Sequence, residues 1–367
     1  KIKYSKFLKK NMLYRIDMKK KVFIIGNLGY IGIPLVKLLK KENLYTVGLD
    51  TNWFYLNDYS YYDYSNFPNI QLFEDVRNFK LSNLDFVPDI IIYLAAVSND
   101  PMGKKFKLAT KKINYEACIN IAKQAKKIKV KKFIFASSCS LYGAADNSNP
   151  RKESDKLNPL TDYAKSKAMS EIKLQKLSSS SFKVICLRFA TAAGYSDNLR
   201  LDLVFNDFVA NSVCKGKIEL LSSGTSWRPL IHVSDMAKAM VWASKFNLKN
   251  HFLVLNVGSN KWNFKIIDLA KQIGKIIGDK VKIKVKNKSF IDKRSYKVDF
   301  SLFNKLAGKY KPSINFKKAV LELKLFCEDN RKKLINFRNN EKWARQINLD
   351  YLIKKGKLDH KLMWKKK

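Results

Sequence analysis

The stretch that most constrains the fold is residues 21–50. An apolar run at 22–25 meets glycines at Gly26, Gly29 and Gly32, and apolar residues then recur at Ile33, Val36, Leu38 and Leu39. The pattern predicts a strand, a tight turn and a helix. A second apolar run, 45–49, ends in Asp50, about 20 residues beyond the glycines. A dinucleotide needs this order. Glycines let the backbone approach a diphosphate, a helix N-terminus offers free N–H groups, and an acid at the next strand end accepts from ribose hydroxyls. The GxxGxxG spacing is one residue longer in its first gap than the commonest fingerprint, and glycines alone can serve a purely structural turn. The strand before and helix after give it weight. Asp50 has no basic neighbour in sequence and so favours NAD over NADP, because a carboxylate repels a 2′-phosphate.

Further strands are expected at 70–73, 89–96, 133–136 and 183–189, with helices over 104–127 and from Pro159 and Thr161 through residue 177. In the first helix, Leu108, Ile113, Ala117, Ile121 and Ala125 fall on one stripe. The run at 89–96 does not alternate with polar residues, and unbroken apolar strands belong to parallel sheets covered on both faces. Alternating strands and helices over the first ~190 residues predict an α/β fold with a doubly wound parallel sheet. Beyond Gly194 the pattern loosens into helices at 203–213, 234–246 and 266–277 and strands at 218–221 and 252–257. It reads as a smaller C-terminal α/β lobe over the sheet's carboxyl edge.

The chain therefore divides into a basic leader (1–20), a dinucleotide domain (21–190) that receives returns from the second lobe, the smaller lobe (191–327), and a basic tail (328–367) anchored by Trp343 and Trp364. The tail can pack as a helix, mediate assembly or stay mobile. An aromatic loop at 53–67 is longer than a turn requires and reads as a lid or an interface.

Charge bears on the choice of partner. Lys and Arg number 72 against 31 Asp and Glu, a formal +41. Most of the excess is lysine scattered along every segment, with only ten arginines, whereas a phosphate-tracking groove shows clustered arginine and interleaved aromatics. No nucleic acid partner is expected, and the positive field draws in small anions. Five cysteines without a CxxC pair and three histidines argue against a disulfide framework or a metal site, and fit a reducing cytoplasm. No apolar stretch approaches the ~20 residues of a membrane span.

Tyr163 and Lys167 form a YxxxK element on a predicted helix. Four residues apart, both side chains share a face, so the ammonium can approach the phenol and favour phenolate. Such pairs arise by chance in a lysine-rich chain, and the position after the fifth strand gives this one its weight. Ser138 ends that strand, where ligand-contacting residues of open α/β sheets collect. It can share a proton with Tyr163 and a substrate hydroxyl, or simply belong to a turn cluster.

GNLGYIG, Asp50, Asp75-Val76, LAAVSND (94–100), Asn114, SSCSLYG, YAKSK, LRFATAAG (187–194), RPLIHVSDMA (228–237), NVGS (256–259) and RSYKVDFS (294–301) occur in one order. In order and spacing the chain resembles the extended short-chain dehydrogenase/reductases, the group of nucleotide-sugar epimerases and dehydratases, over about residues 19–326. The resemblance implies a Rossmann-like domain that binds NAD. Gly26, Gly29, Tyr30, Ile31 and Gly32 would border the pyrophosphate, Asp50 the ribose, and Asp75 with Val76 the adenine. Leu94, Ala95, Ala96 and Ser137 would line the cofactor cleft, and Asn114 would brace it. Ser138, Tyr163 and Lys167 would be the catalytic set. A nucleotide-diphosphate sugar would meet Ser98, Ser140 and Thr191, with Arg228 and Arg294 as diphosphate clamps, a task suited to the guanidinium fork.

Departures narrow the chemistry. Where hexose dehydratases of the group carry acids after the catalytic hydroxyl, this chain has Cys139 and Ser140, which disfavours a 4,6-dehydratase. Cys139 is either a proton carrier or a small buried residue. Thr191 stands where many 4-epimerases have Asn. The run at 198–207 resembles a segment of heptose- and hexose-modifying members, which implies that Arg200 and Asn206 face the sugar nucleotide; an ordinary amphipathic helix start fits it equally. The expectation is an NAD-dependent nucleotide-sugar 4-epimerase acting as a homodimer. A C4 dehydrogenase or ketoreductase is the alternative, and a non-catalytic polyanion-binding protein the remote one.

Overall fold

The computed structural model describes residues 19–54, 67–145, 148–278, 280–286, 289 and 292–365. Most of the leader and residues 55–66 of the aromatic loop lie outside the described residues. Strands β1 (Lys21–Ile25), β2 (Tyr45–Leu49), β3 (Ile70–Leu72), β4 (Ile90–Tyr93), β5 (Lys132–Ser138) and β6 (Lys183–Phe189) join β10 (Phe252–Val257) in a seven-stranded sheet of order β10-β6-β5-β4-β1-β2-β3. Every pairing in it is parallel. The longer helices described below are α1 (Gly32–Lys41), α2 (Cys118–Lys127), α3 (Asp162–Leu177), α4 (Val204–Lys215), α5 (Val233–Lys245), α6 (Ile266–Ile277), α7 (Phe316–Asp329) and α8 (Arg345–Lys354).

The unbroken apolar strands are explained by burial on both faces. In β1, Phe23 and Ile25 enter one core and Val22 and Ile24 the other, as period-2 geometry requires. Phe23 stacks on Phe79 with ring centroids 5.5 Å apart, and each such fully buried side chain contributes about 1.5–3 kcal/mol. The order of strands reverses between β1 and β4, the switch point at whose carboxyl edge open α/β sheets bind ligands. β4 stops at Tyr93, short of the expected 96, because Leu94 and Ala95 both turn their N–H groups onto the Ile25 carbonyl, at 2.8 and 2.9 Å.

The expected helix at 104–127 is broken. Asp100–Lys105 and Lys107–Thr110 are separate short helices, Lys111–Ala117 is π-helical, and α2 follows. The interruption shifts the helical phase: Leu108 is 52% exposed while Phe106 and Ala109 are buried. Asn114 lies in the π-helical turn and reaches across to both backbone groups of Val97 and to the Ser166 hydroxyl.

Outside the large sheet, β7 (Thr191–Ala193), β9 (Trp227–His232) and β11 (Asn263–Lys265) form a three-stranded sheet, and β8 (Lys217–Leu220) pairs with β12 (Lys282–Val285). Packed on them is a third core with Phe205, Leu269 and Leu323 from α4, α6 and α7. The tail packs. Leu334, Phe337 and Trp343 enter that third core, whereas Leu349, Leu352, Leu358 and Leu362 enter the core that holds Phe23. Among the described residues no helix is long and apolar enough to cross a membrane.

Candidate active site

A cavity of about 860 Å³ opens at the carboxyl edge of the large sheet, a size usual for small-molecule sites. At its floor is the glycine turn. Gly26 has φ +89°, and a Cβ there would lie 2.6 Å from the Ala95 nitrogen; one at Gly32 would lie 2.3 Å from the Asn27 carbonyl oxygen. Both positions need glycine for close backbone approach. A Cβ on Gly29 would meet only the Gly26 oxygen, at 3.2 Å. Gly29, Tyr30, Ile31 and Gly32 line the cavity, and α1 begins there without a side-chain cap; Ile33 and Leu35 already donate to the Gly29 and Ile31 carbonyls, so the N–H groups of Tyr30, Ile31 and Gly32 are the ones placed for an anion.

Asp50 accepts from the Leu28 and Asn52 N–H groups at 3.1 and 2.9 Å. Burial raises its pKa, while those N–H groups and the charge of Arg345 act in the other direction. The tail thus brings a basic residue close to Asp50, which the neighbouring sequence lacks. Asp75 is gripped by Arg77 through Nε at 2.9 Å and Nη2 at 2.5 Å, and Val76 lines the cavity beside it. Leu94, Ala95 and Ala96 line it next to the glycine turn. Asn114 does not line the cavity; it braces Val97 from behind. The hydroxyls of Ser137 and Ser140 are buried without a hydrogen-bond partner and belong to lining residues. Orphaned hydroxyls and a glycine turn that lines the cavity with backbone both fit a polar dinucleotide.

Strand β5 delivers Ser138 and helix α3 delivers Tyr163 and Lys167. Thr161 caps α3 by accepting from Ala164 N at 3.2 Å and donates to Asp100 at 2.5 Å. The Ser138 hydroxyl is hydrogen-bonded to the Tyr163 phenol. The expected pKa depression is absent: burial pushes the phenol up to about 12, with the Ser138 contact only partly opposing it. The Lys167 ammonium lies 5.8 Å from the centroid of the Tyr163 ring and donates to the Ala136 carbonyl at 2.7 Å. Burial lowers its pKa to about 8. Desolvation therefore outweighs the attraction that four-residue spacing suggested.

Cys139 points away from this set. Its thiol contacts the Arg188 carbonyl at 3.1 Å, burial raises its pKa well above the ordinary value, and it is absent from the cavity wall. The small-buried-residue reading holds and the proton-carrier reading falls. Asn206 is a second correction. Its side chain accepts from Gly194 N and donates to the Tyr30 hydroxyl and the Arg200 carbonyl, bracing the wall instead of facing it, because those buried backbone groups need partners.

Thr191 and Ser98 do line the cavity. Arg200 donates to Ser98 at 2.9 Å and forms a bidentate pair with Asp202 at 3.0 and 2.8 Å. Arg228 and Arg294 meet on one carboxylate, that of Asp292, at 2.8 and 2.6 Å, and Arg294 also pairs with Asp100. Burial works against ionised Asp292, but the hydrogen bonds from Arg294 and the charge of Arg228 outweigh it and hold its pKa below the usual range. Sequence reasoning missed Asp292, although it stands two residues before Arg294. It also missed Trp53, Phe54, Arg338 and Arg345, all on the wall. A usable signal existed for the last two: half of the ten arginines in this lysine-rich chain face this cavity.

Residues 22–258 match the family model described as "NAD dependent epimerase/dehydratase family". The chain belongs to that family. NAD is accordingly its cofactor. The chain is 27% identical over 275 residues to a UDP-glucose 4-epimerase of Lactobacillus helveticus, covering 69% of this chain and 81% of the relative. Among solved structures, the UDP-N-acetylglucosamine 4-epimerase from Methanobrevibacter ruminantium M1 superposes with a TM-score of 0.72 at 24% identity, over 85% of this chain and 99% of that one. The NDP-hexosamine 5,6-dehydratase TunA does so with a TM-score of 0.71 at 20% identity, over 83% and 97%. Likeness at that identity carries the Rossmann-like fold of this epimerase/dehydratase, and the reaction has to be argued from its own residues.

Proposed function

We propose that this family member is a nucleotide-sugar 4-epimerase that works through a transient 4-keto sugar. One observation carries the reading: among the described residues, Tyr163 and Ser138 line the cavity without an unpaired carboxylate beside them. The acid positions of a dehydratase are occupied by Cys139, turned away, and by neutral Ser140. Asp100, Asp202, Asp207 and Asp292 on the wall each pair with an arginine. Loss of water from a sugar needs an acid/base group beyond the phenol, whereas epimerisation at a carbinol carbon does not.

The glycine turn, Asp50, Asp75 and Val76 hold NAD, which when bound supplies a hydride acceptor and donor. Tyr163 takes the proton of the sugar 4-hydroxyl through or beside Ser138 and returns it later. Lys167 keeps a positive charge behind the phenol below pH about 8. Arg228 and Arg294 hold the nucleotide diphosphate by exchanging part of their grip on Asp292 for phosphate oxygens. The keto sugar turns its other face to the cofactor before the hydride returns. A homodimer and a cytoplasmic setting complete the proposal.

The test is incubation with UDP-, GDP- and dTDP-sugars without added cofactor, followed by NMR of the products. Interconversion of C4 epimers is expected. Accumulation of NADH with no epimer would point to a C4 dehydrogenase, and a product lighter by water to a dehydratase; either overturns the proposal.

A further inference from the structure

Strand β6 runs apolar from Val184 to Phe189 with one exception, Arg188. That residue is buried, as is its partner Glu171 on α3, the two side chains being 6% and 5% exposed. Nε donates to both carboxylate oxygens at 3.1 Å, and Nη2 donates to one of them at 2.8 Å. On the other edge of the guanidinium, Nη1 donates to the Tyr142 hydroxyl and to the Glu153 carbonyl, both at 3.1 Å. Neither Arg188 nor Glu171 lines the cavity, so neither is placed to touch a substrate.

A buried ion pair adds little to stability, because desolvating both charges offsets most of their attraction. What distinguishes this one is where it sits. Arg188 stands in register with Ser137, its carbonyl accepts from the Cys139 thiol at 3.1 Å, and its guanidinium reaches Tyr142; Ser138, at the end of β5, lies within that grip. On α3, Glu171 falls about two turns beyond Tyr163 and about one beyond Lys167, on the same face. Holding Glu171 fixes both the rotation of the helix and its height against the sheet, where a slip of one residue is a shift of about 1.5 Å. One guanidinium is thereby the common reference for the segment that delivers Ser138 and the helix that delivers Tyr163.

We propose that Arg188 is a positioning residue of the proton-transfer pair, setting the separation of Ser138 from Tyr163 through Tyr142 on one side and Glu171 on the other. The inference rests on the acid/base reading of Tyr163 and Ser138. A proton passes between oxygens only within hydrogen-bond reach, and a misplacement of about 1 Å costs about 10²-fold in rate. Substrate and cofactor are held by other residues, so the loss falls on kcat and not on KM.

The test compares the full wild-type chain with the double variant Arg188→Met/Glu171→Met, which removes both charges and strands neither, and with Arg188→Lys, which keeps the charge and loses the fork. The double variant should match or exceed wild type in its urea midpoint and retain its bound NAD. Its kcat, for the sugar nucleotide that wild type interconverts, should fall by about 10- to 100-fold, with KM within about twofold of wild type. Arg188→Lys should show the same split with a smaller loss, and it decides the matter should the double variant not fold. Wild-type kcat in a folded variant would mean that the pair serves only the fold, and a raised KM with kcat unchanged would mean that it serves substrate binding; either overturns the proposal. Tyr163→Phe, measured alongside, separates the two claims. If it is inactive while the double variant keeps wild-type kcat, the positioning role alone falls; if it is fully active, the acid/base reading falls and the positioning role with it.

Discussion

Lys167 donates its hydrogen bond to the Ala136 carbonyl at 2.7 Å and leaves the Tyr163 phenol to Ser138. The ammonium is buried against the Phe135 ring, 4.7 Å from its centroid, with a carbonyl as partner and, among the described residues, no carboxylate within ion-pair distance. That arrangement costs stability whenever the amine is charged.

The cost has a defined pH window. The folded-state pKa of about 8 lies below the ordinary 10.5, so between those values the unfolded chain holds a proton that the folded one does not. Stability therefore rises with pH across that window and carries the full penalty below it. Lys167→Met should be more stable than wild type at pH 7, by about 1–3 kcal/mol, with the difference shrinking toward pH 10. Urea unfolding at a series of pH values measures it. Lys132, also lowered to about 8 by burial, contributes equally to both proteins and cancels. A variant less stable at pH 7 would refute the account.

Tyr163→Phe should lower kcat by about 10²- to 10⁴-fold while leaving bound NAD per chain unchanged, since the Tyr163 backbone and Cβ, which lie against Gly103, are kept. Because burial sets the phenol near 12, wild-type turnover limited by proton removal should climb with pH from 6 and level off near 8, where Lys167 loses its charge. A pH–kcat profile that is flat from 6 to 8 would exclude the phenol as base.

Arg228→Lys and Arg294→Lys preserve charge but lose the fork that engages Asp292 and a second acceptor at once. Each should weaken UDP binding by about tenfold, with NAD affinity unaffected, as read by calorimetry. Loss of NAD binding alongside UDP would assign these arginines to the fold and not to the nucleotide sugar.

Gly26→Ala meets both a left-handed φ and the Ala95 backbone at 2.6 Å. The substitution should destabilise by about 1–3 kcal/mol or more and lower the fraction of chains that retain NAD through gel filtration. Wild-type thermal stability and full NAD content would show that the turn relaxes easily.

Much of this arrangement is legible in the sequence. The glycine turn and Asp50 are local, and the strands carry runs whose unbroken apolarity implies two covered faces. Tyr163, Lys167, Arg228 and Arg294 all line one cavity; the place after the fifth strand pointed to the first two, and the family resemblance to the arginines. The failures have a common physical origin in long-range contacts. Asn206 looks like a ligand contact in a helix start, yet Gly194 and Tyr30, remote in sequence, claim its amide. The phase of the helix near Leu108 depends on Val97 and Ser166, which draw Asn114 inward. The sign of the Tyr163 shift depends on burial, which spacing does not encode. Trp343 and Trp364 were recognisable as anchors, but not that one meets the core around Phe205 and the other the Thr51 carbonyl.

The bond from Trp364 to Thr51 spans 313 residues, and that from Arg77 to Leu362 spans 285. Contacts of such separation carry a large loop-closure cost and consolidate slowly. Refolding of this chain should therefore be sequential, with the β1 amides protected from hydrogen exchange before those of α8. Pulse-labelling that found both protected in the same phase would contradict that order. For the interval between the two, the molecule would possess its sheet and its glycine cradle while the adenosine end still lay open, a built-in time for loading the cofactor.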